Sequence, residues 1–307
     1  MPNFSGIWTV TQQMQATGQS IWPARPATPT IGTATATGAT TATVAFTAGS
    51  TGYPTTVTFT ATSSPGGLTG TGTSPITVTG LTTGTAYTFT VTATNATGTS
   101  AASAASNSIT PVLQIGDVFG GGYFAGQIST AGNSVADYNL VVGPRATAQS
   151  ILQWKTSNTS TAGTSSVING PANSTAMNDA SHPAAQFCEG LTIGGYTDWY
   201  MPAKNELELF YYNFKSFANT NNTTSGSNTN AVPSRASNYT GGNPARTTVT
   251  LFQGFGSESF TTNSYWSSTE STSLQAWSQD AYQGYQSPSF VKDNMGTSVR
   301  AIRRVAV

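Results

Sequence analysis

Leu81-Thr82-Thr83-Gly84-Thr85-Ala86-Tyr87-Thr88-Phe89-Thr90-Val91-Thr92-Ala93-Thr94-Asn95 alternates with a period of two: Tyr87, Phe89, Val91 and Ala93 fall on one side and threonine fills the other. That period belongs to a strand with one face buried and one face in water. The alternation recurs upstream in Val44 and Phe46, in Val57 and Phe59, and in Ile76 and Val78, with Gly, Ser and Pro clusters between the runs. Regular short strands of this kind predict a β-sandwich over residues 25–111 and a chain that is mostly β.

The same stretch resembles the signature of fibronectin type III domains. The resemblance implies that Tyr87 pins a corner by bonding its hydroxyl to upstream backbone. It departs from the family in having no tryptophan in the early strand, where Phe46 is the expected substitute. Nothing in this module carries a catalytic pattern, and its expected role is that of a spacer, with a ligand-binding sandwich as the alternative.

Toward the N-terminus, Pro23-Ala24-Arg25-Pro26-Ala27-Thr28-Pro29 reads as a stiff extended linker. Residues 1–24 hold Trp8, Val10, Met14 and Trp22 without enough length to enclose them. Trp8, Val10 and Met14 share strand parity, so this segment is expected to be a docking arm that adds a strand to another subunit, with these four residues as its contacts. Folding back onto the next domain is the alternative.

Past Pro111, over residues 112–307, aromatics and charges become commoner. The glycine cluster at Gly120-Gly121-Gly122 precedes an alternating run (Tyr123, Ala125, Gln127) and is followed by no Lys-Ser/Thr, so it predicts a hairpin or bulge and not a phosphate loop. Asn139 to Val142 continues as a strand. Ala180, Ala184, Phe187, Cys188 and Leu191 recur at helical spacing, and Leu207, Phe210, Tyr211 and Phe214 fall at i, i+3, i+4 and i+7 of a second helix. With Ala203 at its start this helix lacks a hydroxyl cap, and Glu206 is left a dipole and backbone role. Asn219 to Asn230 is too polar for a core element and is expected as a long exposed loop, disordered or pinned by neighbouring subunits. Near the C-terminus, Val299, Ala301 and Arg303 alternate with Arg300, Ile302 and Arg304 in the manner of one strand.

Four blocks of this region carry a second resemblance: Gly195 to Pro202 with the helix Asn205 to Tyr211, Tyr265-Trp266-Ser267-Ser268-Thr269-Glu270, Ala276-Trp277, and Val299 to Arg304. They resemble the Lcl/DUF1566 type of C-type-lectin-like domain, which implies an α+β fold over roughly residues 115–305. Such domains recur in bacteriophage tail fibres and bacterial surface proteins. The broad fold also serves phage tropism determinants and formylglycine-generating enzymes, so it does not select a function by itself. The resemblance makes Trp199, Trp266 and Arg300 core aromatics and an internal ion pair. In tropism determinants the receptor surface comes from the late segment before the closing strand. Here that segment offers Gln279, Asp280, Tyr282, Gln283, Tyr285 and Gln286, aromatics and amides suited to sugar hydroxyls or protein pockets.

Composition narrows the classes further. Only 7% of the 307 residues are charged, with eleven basic and eleven acidic side chains, so nucleic acid is not an expected ligand. No apolar run approaches the length of a membrane span, and no membrane insertion is expected. The N-terminal residues lack the pattern of a secretion signal. The single histidine, His182, and the single cysteine, Cys188, stand six apart, out of facing register on a helix, so a nucleophilic pair is not expected and Cys188 reads as a small buried apolar residue. Metal ligands of the His/Cys kind are too few. The triplets of calcium-dependent sugar-binding lectins are absent, so no cofactor is expected and any calcium would be structural. The expectation is a non-enzymatic virion surface protein, fibre or capsid or neck decoration. Its partners would be other virion proteins, a host-surface glycan or protein, and further copies of itself, as a trimer if it is a fibre. A bacterial surface adhesin, and an enzyme of the formylglycine-generating type of fold, are the rival classes.

Overall fold

A computed structural model describes residues 9–18 and 23–307. The chain divides into two compact units, Met1–Leu113 and Gln114–Val307. Near the N-terminus Val10–Gly18 forms a helix, α1, where strand parity predicts a strand. Val10 and Met14 lie one helical turn apart, each 71% exposed, and the i, i+4 spacing that gives one face of a strand also gives one face of a helix. Trp8 and Trp22 fall outside the described residues.

In the first unit the strands are β1 (Thr30–Gly38), β2 (Thr41–Thr47), β3 (Thr58–Ser64), β4 (Thr69–Thr71), β5 (Ile76–Thr79), β6 (Thr88–Asn95) and β7 (Gly98–Thr99). They make two sheets, β1-β2-β5 and β4-β3-β6-β7. Strands β3 and β6 pair antiparallel from Thr58↔Thr94 to Ser64↔Thr88, which sets threonine against threonine on the outer face and Ala61, Phe89, Val91 and Ala93 on the inner one. Val44, Phe46, Ile76 and Val78 from the facing sheet complete the core. Phe46 takes the space expected of it, 4.8 Å from the Phe59 ring.

Tyr87 is buried and its hydroxyl accepts the Thr82 N–H at 3.0 Å. Beyond β7, Ser100-Ala-Ala-Ser103-Ala-Ala-Ser106 runs along β6. The N–H groups of Ala93, Val91 and Phe89 donate to the hydroxyls of Ser100, Ser103 and Ser106 at 2.9–3.0 Å. The serine N–H groups donate back to the same three carbonyls. A three-residue period thereby satisfies a two-residue strand period, because each serine supplies both halves of one residue's bonding.

In the second unit the elements are β8 (Val118–Phe119), β9 (Gly122–Ile128), β10 (Tyr138–Val142), α2 (Arg145–Ala148), β11 (Gln149–Ile151), α3 (Gly170–Thr175), α4 (Pro183–Glu189), α5 (Lys204–Phe214), β12 (Ala231–Val232), β13 (Ser264–Glu270), β14 (Gln275–Asp280), β15 (Gln286–Val291), β16 (Ser298–Arg300) and β17 (Ile302–Ala306). One sheet runs β12-β9-β10-β17 with β8 on β9, the other β11-β16-β13-β14-β15. Gly120 and Gly121 make the β8–β9 turn with φ of 57° and 85°, a pair of left-handed positions that glycine adopts without a Cβ penalty.

The closing segment is two strands, not one. Ala301 hands the chain from the second sheet to the first, its N–H donating to Ala148 O and its carbonyl accepting from Gly143 N–H. Alternation alone hides the break because Ser298 to Arg303 are all buried. The residues of the lectin-like blocks meet around this crossing: Trp199 and Trp266 are fully buried with Val299 and Ala301, and Tyr200 exchanges backbone hydrogen bonds with Ile302. Trp154 joins them, donating its indole N–H to Ser267 O while Trp266 donates to Leu152 O.

Helix α5 buries Leu207, Phe210 and Phe214 and also two acids, Glu206 and Glu208. Glu206 does more than support the helix start. It accepts from Ala203 N–H, from the Tyr200 hydroxyl at 2.6 Å and from Arg304 Nε at 2.8 Å. Glu208 accepts from Asn228, Tyr239 and Arg235. Asn228 belongs to the polar stretch after the helix, and Arg235 and Tyr239 follow it; that stretch is pinned within its own unit instead of lying exposed, with Asn221, Ser225 and Asn228 buried.

Candidate functional site

Strands β14 and β15 form a ladder from Gln275↔Val291 to Gln279↔Gln286, and the segment joining them carries the residues expected to meet a receptor. The structure separates these into two sets. Gln279 and Gln286 are buried, at 3% and 8% exposure, and build the loop instead of presenting contacts. Gln279 Nε2 donates to Gly284 O at 2.7 Å, and the Gln286 N–H donates to Ser225 Oγ. Asp280 is also structural, since its Oδ1 accepts the N–H groups of Tyr282 and Gln283 at 2.7 Å and closes the turn. Tyr282, Gln283 and Tyr285 are exposed.

Support for the loop comes from beneath. Asn222 N–H donates to Gln283 O at 2.7 Å and the Asn219 amide donates to Tyr282 O. Gly284, at φ 80°, lies so close to Tyr211 that a Cβ there would stand 2.3 Å from its ring. Tyr211 is buried, and that burial together with Asp280 raises its phenol pKa.

Tyr282 belongs to an aromatic group that the sequence does not signal. Its ring lies 5.8 Å from Phe217, which in turn meets Phe255 edge-on at 6.4 Å. Phe255 is fully exposed and holds φ at 71°, a conformation that costs a bulky residue about 1–3 kcal/mol and persists where the surroundings impose it. Its loop is fixed by Gly256 N–H to Gln253 O and Gly254 N–H to Ser216 O. The signal in the sequence is faint: Gln253-Gly-Phe-Gly-Ser257 sets one aromatic between two glycines.

Several ionisable groups hold the rest of the unit together. Arg300 donates to Glu258 Oε2 at 2.5 Å, to Glu258 O and to Gly143 O. Arg303 clasps Asp198 through two nitrogens at 2.7 and 2.9 Å, and Arg304 pairs with Glu206. Lys292 and Lys155 both donate to carbonyls of the 159–160 turn, and Lys292 also pairs with Glu270 at 2.9 Å. His182 precedes the first turn of α4, away from Cys188, and its side chain makes no capping bond to the helix. Its Nδ1 lies 2.9 Å from Asp179 and its Nε2 2.8 Å from the Thr161 hydroxyl. That order of groups resembles a hydrolytic triad, but Lys155 Nζ occupies the same hydroxyl at 2.9 Å and His182 is buried against Trp154. The cluster anchors the 155–164 loop. Burial pushes the Cys188 thiol far up, and among the described residues no group of three or more His, Cys, Asp or Glu side chains could hold a metal ion. No described helix is long and apolar enough to cross a membrane.

No protein-family model matches the chain, and no curated protein does. Among solved structures the chain is similar to a fibronectin type III domain of human fibronectin type III domain containing protein 3, at 24% identity over 32% of this chain and 95% of that one, with a TM-score of 0.25. It is similar to the FN5 domain of Drosophila Lar at 20% identity, over 29% and 99% of the two chains, with a TM-score of 0.22. It also matches a crystal structure of titin domains at 18% identity and a TM-score of 0.24, spanning 32% of that chain and 29% of its own. The paired sheets and the Tyr87 corner make the first unit a fibronectin type III-like sandwich; the second is an α+β unit.

Proposed function

We propose that this chain is a non-enzymatic structural protein of a bacteriophage particle, in which the first unit spaces and the second, a C-type-lectin-like domain of the Lcl/DUF1566 type, presents an attachment face to the host surface. The observation that carries the reading is Phe255. An aromatic side chain is turned fully into water on a strained, internally bonded loop, beside Phe217 and Tyr282, on a unit whose ionisable groups serve as struts. Rigid exposed aromatics of this kind are contact surfaces. The clustering of the four sequence blocks around one strand crossing favours the lectin-like assignment over a chance likeness. In this reading helix α1, with Val10 and Met14 on one face, contributes to docking on other particle proteins, and copies of the chain associate.

Locating the protein on intact particles by electron microscopy tests the particle assignment. Density for both units at the fibre, neck or capsid surface is expected. Recovery of the chain from the envelopes of uninfected bacteria would favour a bacterial surface adhesin instead.

A further inference from the structure

Beside the aromatic face, still within the second unit, lies a recess of about 260 Å³ lined by Lys215, Asn219, Thr220, Gly241, Gly242 and Arg246 among others. Two of its residues bear on a ligand. Lys215 is 2% exposed, and its ammonium is held only by neutral acceptors: Asn219 O, Asn221 Oδ1 at 2.6 Å and Pro244 O at 3.3 Å. Among the described residues it has no carboxylate partner, and burial alone pushes its pKa down. A buried cation is costly unless an anion answers it. Arg246, also in the wall, is exposed and has no hydrogen-bond or ion-pair partner among the described residues.

The wall also offers uncommitted neutral groups. The N–H groups of Gly241 and Gly242 form the tip of the Thr240–Asn243 turn and donate to nothing among the described residues, and the space over Gly242 is open. Asn219 Oδ1 is buried without a donor. Among the described residues no Asp or Glu lines the recess. Asn219 ties it to the attachment face, because the same side chain donates to Tyr282 O.

We infer that this recess is a subsite for a sugar acid, taking a single carboxylate on the free Arg246 fork and the Gly241–Gly242 amides while the buried Lys215 charge supplies the field. A planar carboxylate matches a guanidinium bidentately, and turn amides are ready donors for an anion. Lys215 acts through space, since its own donors are engaged. This inference rests on the attachment reading and gives it a ligand class: a glycan carrying a uronic or similar acid.

The test is a titration of the full chain with glucuronate, glucose and inorganic phosphate, followed through the backbone amide resonances. Glucuronate is expected to shift Gly241 and Gly242 and to bind about tenfold or more tightly than glucose, the scale of one charge-assisted hydrogen bond. Arg246→Ala, at an exposed position, is expected to keep the melting temperature and erase that preference. Equal affinity for glucuronate and glucose, or a preference that survives Arg246→Ala, overturns the inference. Phosphate displacing glucuronate at equal concentration overturns the assignment to a carboxylate. The two readings fail separately. If only the recess is wrong, variants of Phe255 and Tyr282 still lose cell binding; if only the attachment face is wrong, the glucuronate preference remains.

Discussion

Arg300, Arg303 and Arg304 carry the same charge to three different acids, Glu258, Asp198 and Glu206. In the sequence they form the chain's densest basic cluster; in the fold they point to separate places, because the strand breaks at Ala301 after Arg300, and Arg303 and Arg304 are neighbours on β17 that face opposite sides. Arg300 is wholly buried, so Arg300→Ala would leave Glu258 uncompensated and is expected to cost about 3–5 kcal/mol in urea unfolding. A loss below about 1 kcal/mol, the worth of a surface pair, would show that solvent reaches the site. Glu270 gives a pH signature. Burial acts to raise its pKa, but hydrogen bonds from Lys292, the Thr161 N–H, Ser160 and Thr164 outweigh this and hold the carboxyl below its ordinary 4.5. With the folded value below the unfolded one, its contribution is complete above 4.5 and is lost as pH falls through the folded value. Glu270→Gln is therefore expected to lower the melting temperature near neutral pH, with the gap to wild type narrowing as the pH drops below 4.5. A gap of constant size at all these pH values would mean that the carboxylate charge is irrelevant. Arg300 as an internal ion pair is readable from the sequence through its block. The partner Glu258 is not, since it comes from an irregular loop with no period to place it.

At the level of elements, legibility follows period. Strands with one face in water, such as β6, announce themselves by alternation, and α5 does so by its 3.6-residue spacing. Where every residue is buried, as from Ser298 to Arg303, the alternation runs on across the break and one strand is expected where two exist. The Asn219–Asn230 stretch misleads for another reason: its amides look solvent-seeking, yet Asn221 and Asn228 satisfy the buried Lys215 and Glu208, a use of polarity that only tertiary structure defines. The serine ladder is similar, low in complexity and yet bonded along a core strand. Ser103→Ala removes the acceptor of the buried Val91 N–H and is expected to destabilise the first unit by about 1–3 kcal/mol. Hydrogen exchange in the intact protein reads this directly: the Val91 amide should exchange faster, and unchanged protection would mean that the backbone finds another acceptor.

For the molecule as a whole, the division into a sandwich and an α+β unit is visible in composition, since threonine alternation stops near Pro111 and aromatics begin. The contact face is only half visible. Tyr282, Gln283 and Tyr285 are exposed as expected, whereas Gln279 and Gln286 face inward and Phe217 and Phe255 come from segments with no marked pattern. Sequence distance hides a surface assembled from three loops. The central claim is that this aromatic face is the attachment surface, and binding of the purified chain to host cells tests it most directly with the double variant Phe255→Ala, Tyr282→Ala. Hot-spot aromatics contribute about 2 kcal/mol or more each, so for the two together the account predicts a loss of affinity on the order of 1,000-fold at an unchanged melting temperature. A folded double variant that binds host cells as tightly as the wild type would contradict it.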